Sequence, residues 1–460
     1  MAITITQQPN QWNLAYVPNV YVLDGIGTED FYALQVTIGG TAVATFIQPA
    51  NPSGVAMFDI QKVLQSYLED QSLQNTLGFD NTAGELLSYQ VAYGHQTAGV
   101  ITLTGLSAVK HVINGYDAYD VLNWDWSDHI PQPSAFTCIS EFPPPFNTNA
   151  VYSRKYDFLT NWPTTYNGMS TYKVRSDEHR TLSFFNIIAN YNDGSMWGPN
   201  ESPFFVKISY YNSVGSLIEA DIRTITSTLG LGNRVDCNDN TSSVHTDDQF
   251  IGTIGVGPWN IQNGPFTWTY PAQTAYYTVQ IYSKNYCVEP SIIPDCDDIA
   301  TLEDYLGYVI YEARFEIEDP CTPFEPINVS FMNQYGVKDY YTFDRRNERS
   351  STTDRNNYTK VLGSWDAASY TISNTDRGNT VFSSDITTTM NLSTYWMSDD
   401  ESKWMEELFV SPAVEIFYNG VWRPVVITTQ TYNERTFNRN RMFQHEITVQ
   451  FANKKKVQRG

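Results

Sequence analysis

Charge is scarce in this chain of 460 residues: Asp, Glu, Lys and Arg make up only 17%, against about a quarter in an average globular protein. Such a composition excludes a coiled coil or helical bundle, which would be rich in Ala, Glu, Lys and Leu. No stretch approaches the roughly 20 consecutive apolar residues of a membrane-spanning helix. The opening Met-Ala-Ile-Thr-Ile-Thr-Gln-Gln has no basic n-region and no apolar h-region, so no secretory signal is expected and synthesis should be cytoplasmic. Cysteine is rare as well. The five residues Cys138, Cys237, Cys287, Cys296 and Cys321 include no C-x-x-C spacing, which argues against zinc ribbons and redox motifs. Isolated thiols are expected, with a Cys287–Cys296 bridge as the alternative. Catalytic signatures are missing too. Six scattered histidines show no metal-ligand spacing, and Gly252-Thr253-Ile254-Gly255-Val256-Gly257 lacks the Lys-Ser/Thr of a phosphate loop. No enzymatic role, cofactor or metal is expected.

Asparagine and threonine fill the space that charge leaves, at 36 and 46 residues, and aromatics reach 14%. Thr and aromatic side chains favour strands, and Asn favours turns. The expected fold is mainly β: antiparallel, sandwich-like domains with a few short helices and long ordered loops or arms.

The net charge of −22 is unevenly placed. Residues 1–330 carry 12 basic and 35 acidic residues, whereas 331–460 carry 16 and 15. Basic residues gather at the end, where Arg423, Arg435, Arg439, Arg441, Lys454, Lys455, Lys456 and Arg459 face only Glu434 and Glu446. This asymmetry suggests a docking surface for an acidic neighbour, such as the front of another copy. For Lys454, Lys455 and Lys456 alone, a solvated tail is the simpler reading. Nucleic-acid contact is not expected beyond passage through a lumen, because the basic run is short and has no interleaved aromatics.

The pattern divides into three regions: a β-domain with one helix over 1–115, an aromatic- and loop-rich β-region over 116–320, and a second β-domain with one helix over 321–460. Gly39-Gly40 and Asn419-Gly420 predict tight hairpins, because both central residues of a type I′ turn need positive φ. A third hairpin is predicted around residues 212–215. Ile60, Val63, Leu64, Tyr67 and Leu68 recur at helical spacing, with Asp59 as the expected N-cap. Ser398 and Glu401 predict a capping box opening a helix near 399–410. Residues 229–265 read as one long Gly- and Asn-rich loop.

Two acidic clusters invite site hypotheses. Asp117, Asp120, Asp125 and Asp128 are interleaved with Tyr119, Trp124 and Trp126, as carboxylates and rings are where sugars bind. A solvated loop with packed tryptophans is the competing reading. Asp295, Asp297, Asp298, Glu303 and Asp304 are dense enough for calcium but lack an EF-hand order, so an acid-rich helix start is the better reading.

Several segments resemble structural proteins of tailed phages infecting Bacteroidota, including the crAss-like phages. In the front unit these are Trp12-Asn13 with Pro18-Asn19, Phe31-Tyr32-Ala33-Leu34-Gln35-Val36, and Phe58-Asp59-Ile60 running into Val63-Leu64 and Tyr67-Leu68. In the back unit they are Cys321, then Ile327 to Asn333 with Gly336 and Asp339 to Phe343, then Tyr395-Trp396-Met397, Trp404 to Leu408 and Ser411-Pro412. The resemblance implies a virion structural protein assembled in the host cytoplasm. It would be an oligomeric ring or collar subunit of the neck or tail, contacting portal, ring or tail-hub proteins and no membrane. Independently of the resemblance, the acidic and aromatic pattern makes Asp117, Asp120, Trp124, Asp125 and Trp126 the candidate glycan or subunit contacts. The alternative function is a virion-associated protein that binds or depolymerises host-surface glycan.

Overall fold

The structure, a computed structural model, describes residues 3–25, 31–68, 79–80, 86–116, 159–160, 170–185, 188–189, 196–197, 204–224, 251–263, 271–284, 306–318, 323–376, 378–429, 444–453 and 455–457. The described chain is mainly β, in several mostly antiparallel sheets with few short helices. It divides into two compact units. The first holds residues 1–320 together with Met332–Tyr340, and the second holds Cys321–Phe331 with 341–460.

The first unit begins with two facing sheets. Strands Thr4–Gln7, Val20–Asp24 and Ala56–Asp59 form a small one. A larger one runs in the order Trp12–Leu14, Lys110–Ile113, Leu86–Thr97, Phe31–Ile38 and Thr41–Pro49, with Val100–Leu106 also paired to Leu86–Thr97. Alternation decides what they bury. Tyr21, Leu23 and Phe58 of the small sheet meet Tyr32, Leu34, Val36, Tyr89, Val91 and Val112 of the large one in one core. Each such burial contributes about 1.5–3 kcal/mol. The helix Gln61–Tyr67 adds Ile60 and Leu64 to the same core. Its N-cap is Ile60, not the expected Asp59. Asp59 instead caps from one residue upstream, where Oδ1 accepts the Gln61 N–H at 3.0 Å and the Asn19 N–H at 3.3 Å.

Asn19 fastens the entry to this sandwich. It is fully buried. Its Nδ2 donates to the Leu14 carbonyl at 3.1 Å and the Val17 carbonyl at 2.9 Å, and its Oδ1 accepts from Asn13 Nδ2 at 3.0 Å. Every polar group of the amide is thus engaged, as a buried amide requires.

A third sheet of the first unit runs Ser170–Val174, Leu306–Ile317, Tyr276–Lys284, Phe204–Tyr211 and Leu217–Thr224. The hairpin predicted around 212–215 is its outer pair, closed by Asn212 Oδ1, which accepts the Val214 and Ser216 N–H groups. The expected loop over 229–265 is corrected: strand Ile251–Gly255 and helix Pro258–Asn263 lie within it. Gly255 and Gly257 there serve close approach, not turns. A Cβ on Gly255 would lie 2.7 Å from Asn260 Cβ, and one on Gly257 would run into the Arg180 backbone nitrogen.

The second unit is built on one eight-stranded sheet. Its order is Lys338–Phe343, Ile327–Met332, Val414–Tyr418, Val421–Ile427, Glu446–Phe451, Asn379–Ser393 and Asn347–Thr359, with Lys455–Val457 also paired to Asn379–Ser393. Asn419 and Gly420 turn with φ of 53° and 75°, as a type I′ hairpin demands. Helix Asp399–Val410 opens on the predicted capping box. The Ser398 Oγ accepts the Glu401 N–H at 3.3 Å, and Glu401 Oε2 accepts the Ser398 N–H at 2.8 Å. The helix buries Trp404, Met405 and Leu408, with Trp404 against Phe331 and Tyr341 of the sheet.

Candidate functional site

The sequence-predicted site residues fall mostly outside the described residues. Asp117, Asp120, Trp124, Asp125 and Trp126 lie there, as do Arg435, Arg439, Arg441 and Lys454, the five cysteines and the 295–304 acids. Lys455 and Lys456 are described, and they belong to a strand instead of a loose tail. The register sets Lys455 across from Ile386 and Lys456 across from Asp385.

The most conspicuous surface is one that sequence reasoning missed. Strands Asn347–Thr359 and Asn379–Ser393 pair over 13 rungs, and the first of them is the edge of the eight-stranded sheet. At about 3.3 Å per residue the ribbon is roughly 43 Å long. From Glu348 onward every residue of its outer strand is exposed, on both faces. Below the Arg355–Ser384 rung, Glu446–Phe451 and Lys455–Val457 back the ribbon. Beyond it, among the described residues, no third strand does. This is an arm.

Alternation sorts the arm's charges by face. Glu348 and Asp354 point one way, with Asp385 directly across from Asp354. Arg349 and Arg355 point the other way. Arg349 donates to the Tyr418 hydroxyl and lies 5.5 Å from the centre of that ring, and Arg423 lies 6.0 Å from the same centre. Among the described residues, Arg349, Arg355 and Arg423 form no ion pair with a carboxylate. The middle of the ribbon is a ladder of hydroxyls, Ser350 with Thr389 at 2.7 Å and Ser351 with Thr388 at 3.3 Å. At the far end a small hairpin, Ser364–Asp366 with Ser369–Thr371, sets Trp365 across from Tyr370. Val361 is 81% exposed, Trp365 70% and Ile372 63%. Apolar side chains this open, clustered on a projecting tip, mark a contact surface more often than an ordinary one.

The buried polar pairs serve packing. Ser402 Oγ and His445 Nε2 lie 2.9 Å apart, the first element of a nucleophile arrangement. Ser402 is only 2% exposed and lies within a packed helix, so the pair joins helix to sheet. Burial lowers the His445 pKa, which keeps the imidazole neutral. Ser88 Oγ meets His111 Nδ1 at 2.8 Å, and that imidazole stacks on Trp12 at 4.3 Å. Among the described residues no group of three or more His, Cys, Asp or Glu is placed to hold a metal, and no helix is long and apolar enough to cross a membrane.

Known proteins add little. No protein-family model matches the chain. Over 61 residues the chain is 33% identical to one subunit of the NADH-quinone oxidoreductase of Cereibacter sphaeroides, in two strains, a stretch covering 13% of this chain and 18% of that protein. The chain thus spans about a fifth of the length of the curated relatives it matches. A likeness so short shows neither a family nor an activity.

Proposed function

We propose that the chain is a virion structural protein of a tailed phage, one subunit of an oligomeric ring or collar in the neck or tail, without an enzymatic role. The observation that carries this reading is where the resembling segments fall. Trp12, Tyr32, Ala33, Leu34, Val36, Phe58, Ile60 and Leu64 are core residues of the first unit. Strands Ile327–Met332 and Lys338–Phe343 are buried along their whole length, and Trp404, Met405 and Leu408 are buried with them. The likeness to phage structural proteins is therefore a likeness of framework, which is what a shared scaffold would preserve. A projecting arm with an apolar tip suits a protein whose work is contact with its neighbours.

Size-exclusion chromatography with light scattering and negative-stain imaging of the purified chain tests this reading. Closed rings of one size are expected, and the chain should be found in purified virions at ring stoichiometry. A monomer at every concentration, absent from virions, overturns it.

A further inference from the structure

We infer that the Asn347–Ser393 arm docks on a second copy of this chain, laying its arginine face and apolar tip against that copy's acidic first unit. The inference rests on the ring reading and names the contact that would close the ring. Charge points to this occupant. By sequence, the first unit holds 13 basic and 35 acidic residues, net −22, and the second holds 15 of each. The arm itself, residues 347–393, holds four basic and five acidic residues, so what it offers an acidic surface is one face, that of Arg349 and Arg355. Arg349 and Arg355 of the arm, and Arg423 of strand Val421–Ile427, have no carboxylate partner among the described residues of their own chain, and Arg349 and Arg423 are pre-oriented on Tyr418. Carboxylates of a neighbouring copy would supply what is missing, by charge-assisted hydrogen bonds.

Stability points the same way. A two-stranded ribbon standing alone in water is marginal, and an exposed edge strand invites pairing. Beyond Ser384, among the described residues, the ribbon has only its own two strands, and its tip leaves Val361, Leu362, Trp365, Tyr370 and Ile372 at the surface. Covering those side chains removes apolar surface from water. Aromatic anchors at the centre with arginines beside them are the usual make-up of an interface hot spot. Because the contact joins unlike surfaces, it is head-to-tail, the kind that closes into a ring when the rotation allows.

The register supplies a clean test. Thr359 and Asn379 are cross-strand partners, so replacing residues 360–378 with Asn-Gly makes a two-residue hairpin that keeps the ribbon and removes the tip. Arg355→Glu reverses one charge on the arginine face. If the arm binds a second copy, wild type assembles, and both variants need at least about tenfold more protein for half-assembly while melting like wild type. Salt should weaken wild-type assembly. A photo-crosslinker at Ser369 in a mixture of ¹⁴N and ¹⁵N chains should give mixed-isotope crosslinks to residues 1–320. Rings of unchanged size and affinity in both variants overturn the arm contact and leave the ring reading standing. Crosslinks confined to one chain, or running to a different virion protein, overturn it also. A wild-type chain that never assembles overturns the ring reading and the second-copy contact together.

Discussion

The imidazole of His179 lies flat against the indole of Trp259, with ring centroids 4.0 Å apart and planes 28° from parallel. Tyr340 lies on a further stack, 6.2 Å from the same imidazole. Burial depresses the His179 pKa from 6.5 to about 3. A depressed basic group binds fewer protons folded than unfolded, so stability is full above pH 6.5 and falls as pH drops from 6.5 toward 3. The slope is about 1.4 kcal/mol per pH unit, on the order of 5 kcal/mol over the whole window. His179→Phe keeps an aromatic ring in the stack and cannot titrate. Urea midpoints at pH 4.5 and 7.5 should differ less in that variant than in wild type, and an unchanged difference would count against this assignment.

Asn19 predicts a different failure. Replacing it with Asp keeps the shape but turns the two donors toward Leu14 and Val17 into acceptors. Two buried carbonyls would then face a carboxylate, at a cost of about 3 kcal/mol or more. Asn19→Ala leaves the same carbonyls bare and should cost about 2–3 kcal/mol. Chemical denaturation measures both, and a loss under about 1 kcal/mol would show the amide to be dispensable.

The capping box should register only in the second unit. Ser398→Ala removes the acceptor for the Glu401 N–H and should cost about 1 kcal/mol. Hydrogen exchange should speed up over the first turn of Asp399–Val410 and leave the first unit unchanged.

Gly336 should tolerate no side chain. Its φ is +77°, and an added Cβ would run into the Asn114 carbonyl. The turn it closes is tied down by Asn333, whose Nδ2 donates to the Leu159 carbonyl at 2.8 Å and whose Oδ1 accepts the Tyr335 N–H at 2.9 Å. Gly336→Ala combines strain with a backbone clash and should cost about 2 kcal/mol or more. Gly39→Ala is strained without a clash, with nothing within 4 Å of the added carbon, and should cost less. Thermal melts of the two variants compare them directly.

These residues also show what the sequence could reveal. Gly39-Gly40, Asn419-Gly420 and Ser398 with Glu401 act through neighbours in the chain, and each was legible. The arm was not, because its outer strand, Asn347–Thr359, is polar on both faces and carries no hydrophobic alternation for a pattern to follow. The glycines near 255 misled for a related reason. A glycine that admits a distant backbone looks, in sequence, like one that makes a turn. The sorting of Arg349 and Arg355 from Glu348 and Asp354 was hidden as well, since it exists only once the stretch is known to be extended.

The hairpin Ile327–Met332 with Lys338–Phe343 is divided between the units, its turn end belonging to the first and its base to the second. Synthesis runs from the N-terminus, and early parts of a chain generally fold first. Here the first unit must wait. Its last nine residues leave the ribosome only after eleven residues of the second unit have been made. A nascent chain stopped at Pro320 would lack Asn333 and the turn that engages Leu159, so the order of manufacture couples the completion of one unit to the beginning of the other.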